Sequence, residues 1–279
     1  MTNGAGGVRI ETDVLFGRGG DVDLRLDVYH PAEGHSKRTA IVQLHGGGFN
    51  RGAKENIAAN CRIFAERGYT AIASQYRLAG QAKWPAQLHD VKAAIRWVKA
   101  NADRLGVDPD RTCVAGYSAG GTLSTIAAWT GDDAALEGDS GTPGVSSAVA
   151  ACIAFYPPAT RERPANDDGS GLFPAGASDA DYASAGPSNH VKAGVPPTIL
   201  LHSTGDTTVP FGASVSLFNA LREAGVPAEM HIFDGLSHVF DRHPEFAAPS
   251  IEACDLFLDR HVVEPRVYPP FAPGVARPG

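Results

Sequence analysis

Five near-continuous apolar runs recur along the chain: TAIVQLH (39 to 45), YTAIASQY (69 to 76), TCVAGY (112 to 117), AVAACIAFY (148 to 156) and PTILLHS (197 to 203). A strand with one wet face alternates apolar and polar residues. A run that is apolar throughout has to be covered on both sides, as in a parallel sheet held between two helix layers. AEMHIF (228 to 233) reads as a last strand. Helical patterns lie between the runs, the clearest being PAQLHDVKAAIRWVKANADRLG (85 to 106), where Leu88, Val91, Ile95 and Val98 form one apolar face. Pro85 suits its first turn and Gly106 its exit. Further helices are expected over 55 to 67, 119 to 130, 211 to 224 and 246 to 261.

Ahead of this alternation, VRIETDVLF (8 to 16) and VDLRLDVYH (22 to 30) flank Gly19 and Gly20 and read as an antiparallel hairpin. The expected fold is therefore a single α/β domain over 1 to 279, a mostly parallel doubly wound sheet led by a hairpin. Hydrophobic residues make up 43% of the chain, enough for the large core this demands. Two segments break the pattern. Residues 157 to 196 are rich in Pro, Gly, Ala and Asp and are long enough to act as a lid, and 264 to 279 form a Pro-rich tail.

Several classes of function are disfavoured. With 24 basic against 31 acidic residues the net charge is −7, and no Lys/Arg stripe offers itself to nucleic acid or anionic lipid. Cys61, Cys113, Cys152 and Cys254 are widely spaced in apolar patterns and read as small core residues. There is no CxxC pair, HExxH or Cys/His cluster with zinc-ligand spacing, so no metal site is expected. The N-terminal stretch lacks the apolar core of a secretory signal, and no apolar run reaches membrane-spanning length. If the sequence is the native full length, a soluble cytoplasmic protein follows.

CVAGYSAGGTLS (113 to 124) places Ser118 between small residues where a buried strand gives way to a helix. A G-x-S-x-G in that context is the pattern of a nucleophile elbow, in which small residues two before and two after the serine let neighbouring segments pass. A flexible strand-to-helix turn would use similar residues, so the reading requires partners. A serine hydroxyl needs a base to take its proton, and FDGLSHVF (233 to 240) puts His238 on the loop after the last strand. His243 belongs to a helix start, His202 to a strand interior, and His190 to a structural position in the insertion. The acid that orients the histidine is assigned to Asp206, in a Gly-containing turn after the run ending at Ser203; Asp234 is its rival. An Asx-turn at Asp206 would be compatible with that role. VQLHGGGFNRG (42 to 52) leaves a strand into three glycines, and the amides of Gly47, Gly48 and Ala119 would serve as oxyanion donors. His45 is expected to anchor that loop.

At HGGGF, PAQLHDVKAAIRWV, GVDPDR, GYSAGG, GDTTVP and GLSH the chain resembles the α/β-hydrolase superfamily, and more narrowly esterases of the hormone-sensitive-lipase and feruloyl-esterase-like type, over about 39 to 260. The resemblance implies an α/β-hydrolase fold with a small or absent cap. It also implies cofactor-free hydrolysis of carboxylic esters through an acyl-enzyme, with Ser118, Asp206 and His238 as triad and Gly47, Gly48 and Ala119 as oxyanion hole. The short stretch before HGGGF leaves little room for a helical cap. A modest apolar pocket for small, short-acyl esters is therefore expected, walled by Phe49, Trp84, Tyr117, Phe155, Tyr156 and Phe240. Competing readings are an arylformamidase-type amidase, a feruloyl or acetyl-xylan esterase, and a non-catalytic receptor on the same fold. The last is disfavoured by the presence of His238. An exposed last strand could pair two copies into a homodimer.

Overall fold

The computed structural model describes residues 7–165, 168–169 and 171–269. Eight strands form one sheet: β1 (Arg9–Gly19), β2 (Val22–His30), β3 (Ala40–Leu44), β4 (Thr70–Ser74), β5 (Thr112–Tyr117), β6 (Cys152–Phe155), β7 (Thr198–Ser203) and β8 (Ala228–Phe233). Their spatial order is β1-β2-β4-β3-β5-β6-β7-β8. The leading hairpin is antiparallel and joins the sheet antiparallel to β4, while β3 to β8 run parallel. The helices are α1 (Ala58–Glu66), α2 (Ala86–Ala100), α3 (Ala102–Leu105), α4 (Ala119–Trp129), α5 (Asp179–Ser184), α6 (Gly212–Glu223) and α7 (Pro244–Leu258).

Successive side chains of a strand point to opposite faces, and the apolar runs therefore feed two separate cores. Val42 and Val114 join the helices α2, α4 and α6 on one face, whereas the adjacent Ile41, Cys113 and Ala115 join α1 and α7 on the other. All four cysteines are free and buried.

Three elements differ from the sequence reading. The run 148 to 156 yields a strand only over Cys152–Phe155, because full pairing to β7 starts at Cys152 and Tyr156 turns out of the sheet with φ +40°. The pattern 85 to 106 breaks at Asn101 (φ −107°, ψ 19°) into α2 and α3, with Gly106 closing α3 at φ +67°. The insertion does not hang free. Leu172, Phe173 and Tyr182 are buried in the first core, and Trp84 donates to Ser184 Oγ at 2.7 Å and packs against Phe173. Each large apolar side chain so buried contributes about 1.5–3 kcal/mol relative to exposure, enough together to fasten the segment to the body. Residues 270–279 of the tail lie outside the described residues, and no helix among the described ones is long and apolar enough to cross a membrane.

Candidate active site

Ser118 stands between β5 and α4 with φ +56° and ψ −117°, a conformation that L-residues adopt only under constraint. The constraint is close packing on both sides of the bend. A Cβ at Gly116 would lie 1.9 Å from the carbonyl oxygen of Gly120, and one at Gly120 would lie 2.2 Å from that of Leu44 in β3. Only glycine lets α4 start this near to β3 and β5. The Ser118 amide donates to Phe155 O at 3.0 Å, which ties the bend to β6 as well.

Asp206 follows β7 and His238 follows β8, so all three side chains emerge at the carboxyl ends of parallel strands, the rim where open α/β sheets bind ligands. His238 Nδ1 is 2.6 Å from Asp206 Oδ2, and its Nε2 is 2.9 Å from Ser118 Oγ. A carboxylate can only accept. Nδ1 is therefore the protonated nitrogen, and Nε2 is left to accept from the serine hydroxyl. Burial acts to raise the Asp206 carboxyl, but hydrogen bonds from His238 and from the Val209 and Thr208 amides outweigh it and hold the group below its ordinary range. Both amides donate to Oδ1 at 2.9 Å, so the turn-capping and histidine-orienting contacts use different oxygens of one side chain.

The rival residues have other work. Asp234 is exposed and accepts from Thr204 Oγ1 at 2.8 Å, tying the β8 loop to the β7 loop. His202 is fully buried and kept neutral by that burial; its Nε2 donates to Val209 O at 2.9 Å and its Nδ1 accepts from Ser214 Oγ at 2.7 Å. His190 bonds Ser184 O within the insertion, and His243 stands at the N-terminal boundary of α7 with no side-chain bond to it. His45 stacks on Tyr76 at 4.3 Å and donates from Nδ1 to Gly46 O at 2.8 Å, which shapes the glycine loop.

In that loop Gly47 has φ +127°, and a Cβ there would fall 2.0 Å from Arg51 O. Among the described residues no hydrogen bond leaves the amides of Gly47, Gly48 or Ala119. Gly47 and Gly48 line the same cleft as Ser118 and His238, a cavity of about 850 Å³.

That cleft matches the expected apolar pocket only in part. Tyr117 and Tyr156 line it, but Phe49, Trp84, Phe155 and Phe240 do not: they are buried in the two cores, as large aromatics at strand and loop ends usually are. Polar side chains take their place, with Asn50, Arg51 and Asn56 on one side and Thr207, Thr208 and Arg242 on the other. Among the described residues, none of those lining the cleft comes from 157 to 196. Sequence reasoning had no periodic signal for these polar positions, since each lies in a loop or a single 3₁₀ turn.

It also gave no warning of Asp241. This carboxylate is 4% exposed; Asn60 Nδ2 donates to it at 2.8 Å, and the Tyr156 hydroxyl donates to its other oxygen. Burial pushes it above the ordinary carboxylate range, although both donors pull the other way. The Tyr156 ring meets His238 edge-on at 4.6 Å between centroids. No group of three or more metal-ligating side chains stands together among the described residues.

A parallel sheet of this order, with its serine on a glycine-flanked bend at the rim, defines the α/β-hydrolase class. Comparison with known proteins narrows this: the chain belongs to the BD-FAE family, whose model matches residues 26–221. Esterase LipQ of Mycobacterium tuberculosis is 29% identical over 252 residues, covering 80% of this chain and 57% of its own length. LipM of the same organism is 29% identical over 273 residues, covering 89% and 62%. The chain thus spans about three-fifths of these curated relatives. Thermogutta terrifontis esterase 2 matches nearly end to end: 31% identity, TM-score 0.75, and coverage of 91% of this chain and 92% of that one. The same esterase with bound propionate superposes with TM-score 0.77 at 30% identity, over 94% and 97%.

Proposed function

We propose that the protein is a serine carboxylesterase acting on small, short-acyl esters, with Ser118, His238 and Asp206 as its catalytic triad. Ser118 Oγ attacks the ester carbonyl carbon while His238 Nε2 takes its proton, and Asp206 stabilises the imidazolium that results. The oxyanion is received by the amides of Gly47, Gly48 and Ala119. Collapse breaks the bond to the alcohol oxygen, which leaves with the proton from Nε2. A water molecule then repeats the sequence on the acyl-enzyme, freeing the acid and restoring the hydroxyl.

The observation that carries this reading is the unbroken path of hydrogen bonds from Asp206 through His238 to Ser118 beside unpaired amides. The short-acyl preference rests on a cleft whose wall is about half polar, with Asn50, Arg51, Thr207 and Arg242 on it, and so offers limited apolar cover to a long alkyl chain. The related Thermogutta esterase has been seen with propionate and butyrate bound and phosphorylated by paraoxon, which is in keeping with both points.

Turnover of aryl acetate, butyrate and octanoate by wild-type protein and by Ser118→Ala tests the proposal. Acetate and butyrate should be preferred, and the variant should stay folded with its activity gone; undiminished turnover in the variant would end the assignment. A parallel assay on an N-formyl aromatic amine separates esterase from amidase, which use the same groups. The free edge of β8, with Ile232 43% exposed, is where a second copy would pair edge to edge, and sedimentation of the purified protein decides that.

A further inference from the structure

His238 is held by Asp206 at one ring nitrogen, but its backbone sits on the loop after an edge strand. The next residue, Val239, has φ +62° and ψ +33°, a left-handed conformation that a β-branched side chain disfavours. Beyond it comes a single 3₁₀ turn, Phe240–Arg242, too short to be stable alone. A strained residue followed by one turn persists only where surrounding contacts over-determine it.

The contacts that do so converge on Asp241, three residues from the imidazole. One carboxylate oxygen accepts from Asn60 in α1; the other accepts from Tyr156 at the end of β6. Tyr156 is itself fixed: its amide donates to Leu201 O in β7 at 2.7 Å, its backbone has φ +40°, and its ring packs on both His238 and Phe240. The turn after the histidine is thereby pinned to a helix and to two central strands. Apolar side chains of similar volume would fill this space without the desolvation penalty of a buried carboxylate. What the carboxylate adds is direction, because its two acceptors meet two donors on separate elements.

We infer that Asp241 is a positioning residue for the proposed esterase reaction: by binding Tyr156 and Asn60 together it locks the Val239–Arg242 turn and so holds the His238 imidazole within reach of Ser118. Asp241 acts through His238 and does not itself exchange a proton with substrate. The inference rests on the carboxylesterase reading.

The test is steady-state turnover of an aryl butyrate at 25 °C by the full chain and three variants, with circular dichroism and thermal unfolding of each. Asp241→Ala should lower kcat about 10- to 100-fold, the range expected when a reacting group is misplaced by about an ångström, with KM within about threefold. Asp241→Asn keeps the shape and an acceptor for Tyr156, and the Asn60 amide can turn to present its oxygen to the new NH₂; kcat should return to within about fivefold of wild type. Asn60→Ala lies in α1, outside the cleft lining, and should lower kcat about 3- to 10-fold. Labelling of Ser118 by a fluorophosphonate should slow in step with kcat. Should Asp241→Ala not fold, the other two variants carry the test. The inference is overturned if folded variants keep kcat within twofold of wild type, or if Asn at 241 is as poor as Ala. A purely structural role would lower the unfolding temperature and leave kcat at 25 °C in place. Wild-type protein inert toward every ester would sink the esterase reading itself; active wild type with unaffected variants would sink this inference alone.

Discussion

Asp206 and His238 share a 2.6 Å hydrogen bond while the other Asp206 oxygen accepts two backbone amides, so the carboxylate that orients the imidazole cannot swing away from it. Asp206→Asn presents either an oxygen or an NH₂ to Nδ1, and the backbone amides favour the oxygen for themselves. The NH₂ then faces the ring and imposes the opposite tautomer, leaving Nε2 protonated and unable to accept from Ser118. The expected loss in kcat is about 10⁴-fold, with the fold retained, measured on an aryl butyrate at neutral pH.

The backbone strain at Ser118 makes a stability prediction of opposite sign to the activity prediction. Replacement by glycine removes a conformation that costs about 1–3 kcal/mol and adds about 0.5–1 kcal/mol of unfolded-state freedom. Ser118→Gly should therefore be about 1 kcal/mol more stable than Ser118→Ala in denaturant titration, although neither should hydrolyse ester. Equal midpoints would mean the bend stores no strain.

Gly120→Ala should be far more harmful than its chemistry suggests. The new methyl would meet the Leu44 carbonyl at 2.2 Å, and no flexible side chain is there to yield. A loss of about 1–3 kcal/mol or more, together with impaired labelling of Ser118, is expected. Gly80→Ala, with no atom within 4 Å of the added carbon, should leave both unchanged and is the control.

Glu11 supplies a pH prediction. Burial acts to raise its carboxyl, but hydrogen bonds from Arg9, Arg104 and His30 win and bring it down to about 2 from 4.5. A group lowered on folding adds stability that is present above its unfolded value and lost as pH falls through its folded one. Wild type should thus be more stable than Glu11→Gln at pH 7, and the gap should close between about pH 5 and pH 2. Chemical denaturation at three pH values reads this; a gap independent of pH would show that the ion pairs joining β1 to α3 contribute nothing.

Much of this architecture was legible in the sequence because it rests on local rules. Runs such as TCVAGY are apolar throughout since both faces of β5 are covered, and the glycines around Ser118 follow from the closeness of β3, β5 and α4. The site was harder to read where it depends on distant pairings. Nothing in Phe49 or Trp84 says that they face the core and not the cleft, as aromatic character suits both. Asp241 meets Asn60 across 181 positions and Tyr156 across 85, and neither spacing leaves a pattern. The polar part of the cleft wall was missed for a related reason: Arg51, Thr207 and Arg242 come from three separate connections that converge only once the sheet is assembled.

The closeness of Gly120 to the Leu44 carbonyl has a consequence for how the protein can be assayed. The bend at Ser118 exists only while β3, β5 and α4 are docked together, so a chain lacking any of those contacts carries an ordinary, inert hydroxyl. With Ser118 as the proposed nucleophile, covalent capture by an organophosphorus reagent should then count natively assembled molecules one by one, and the labelled fraction of a preparation should be a direct census of its folded population.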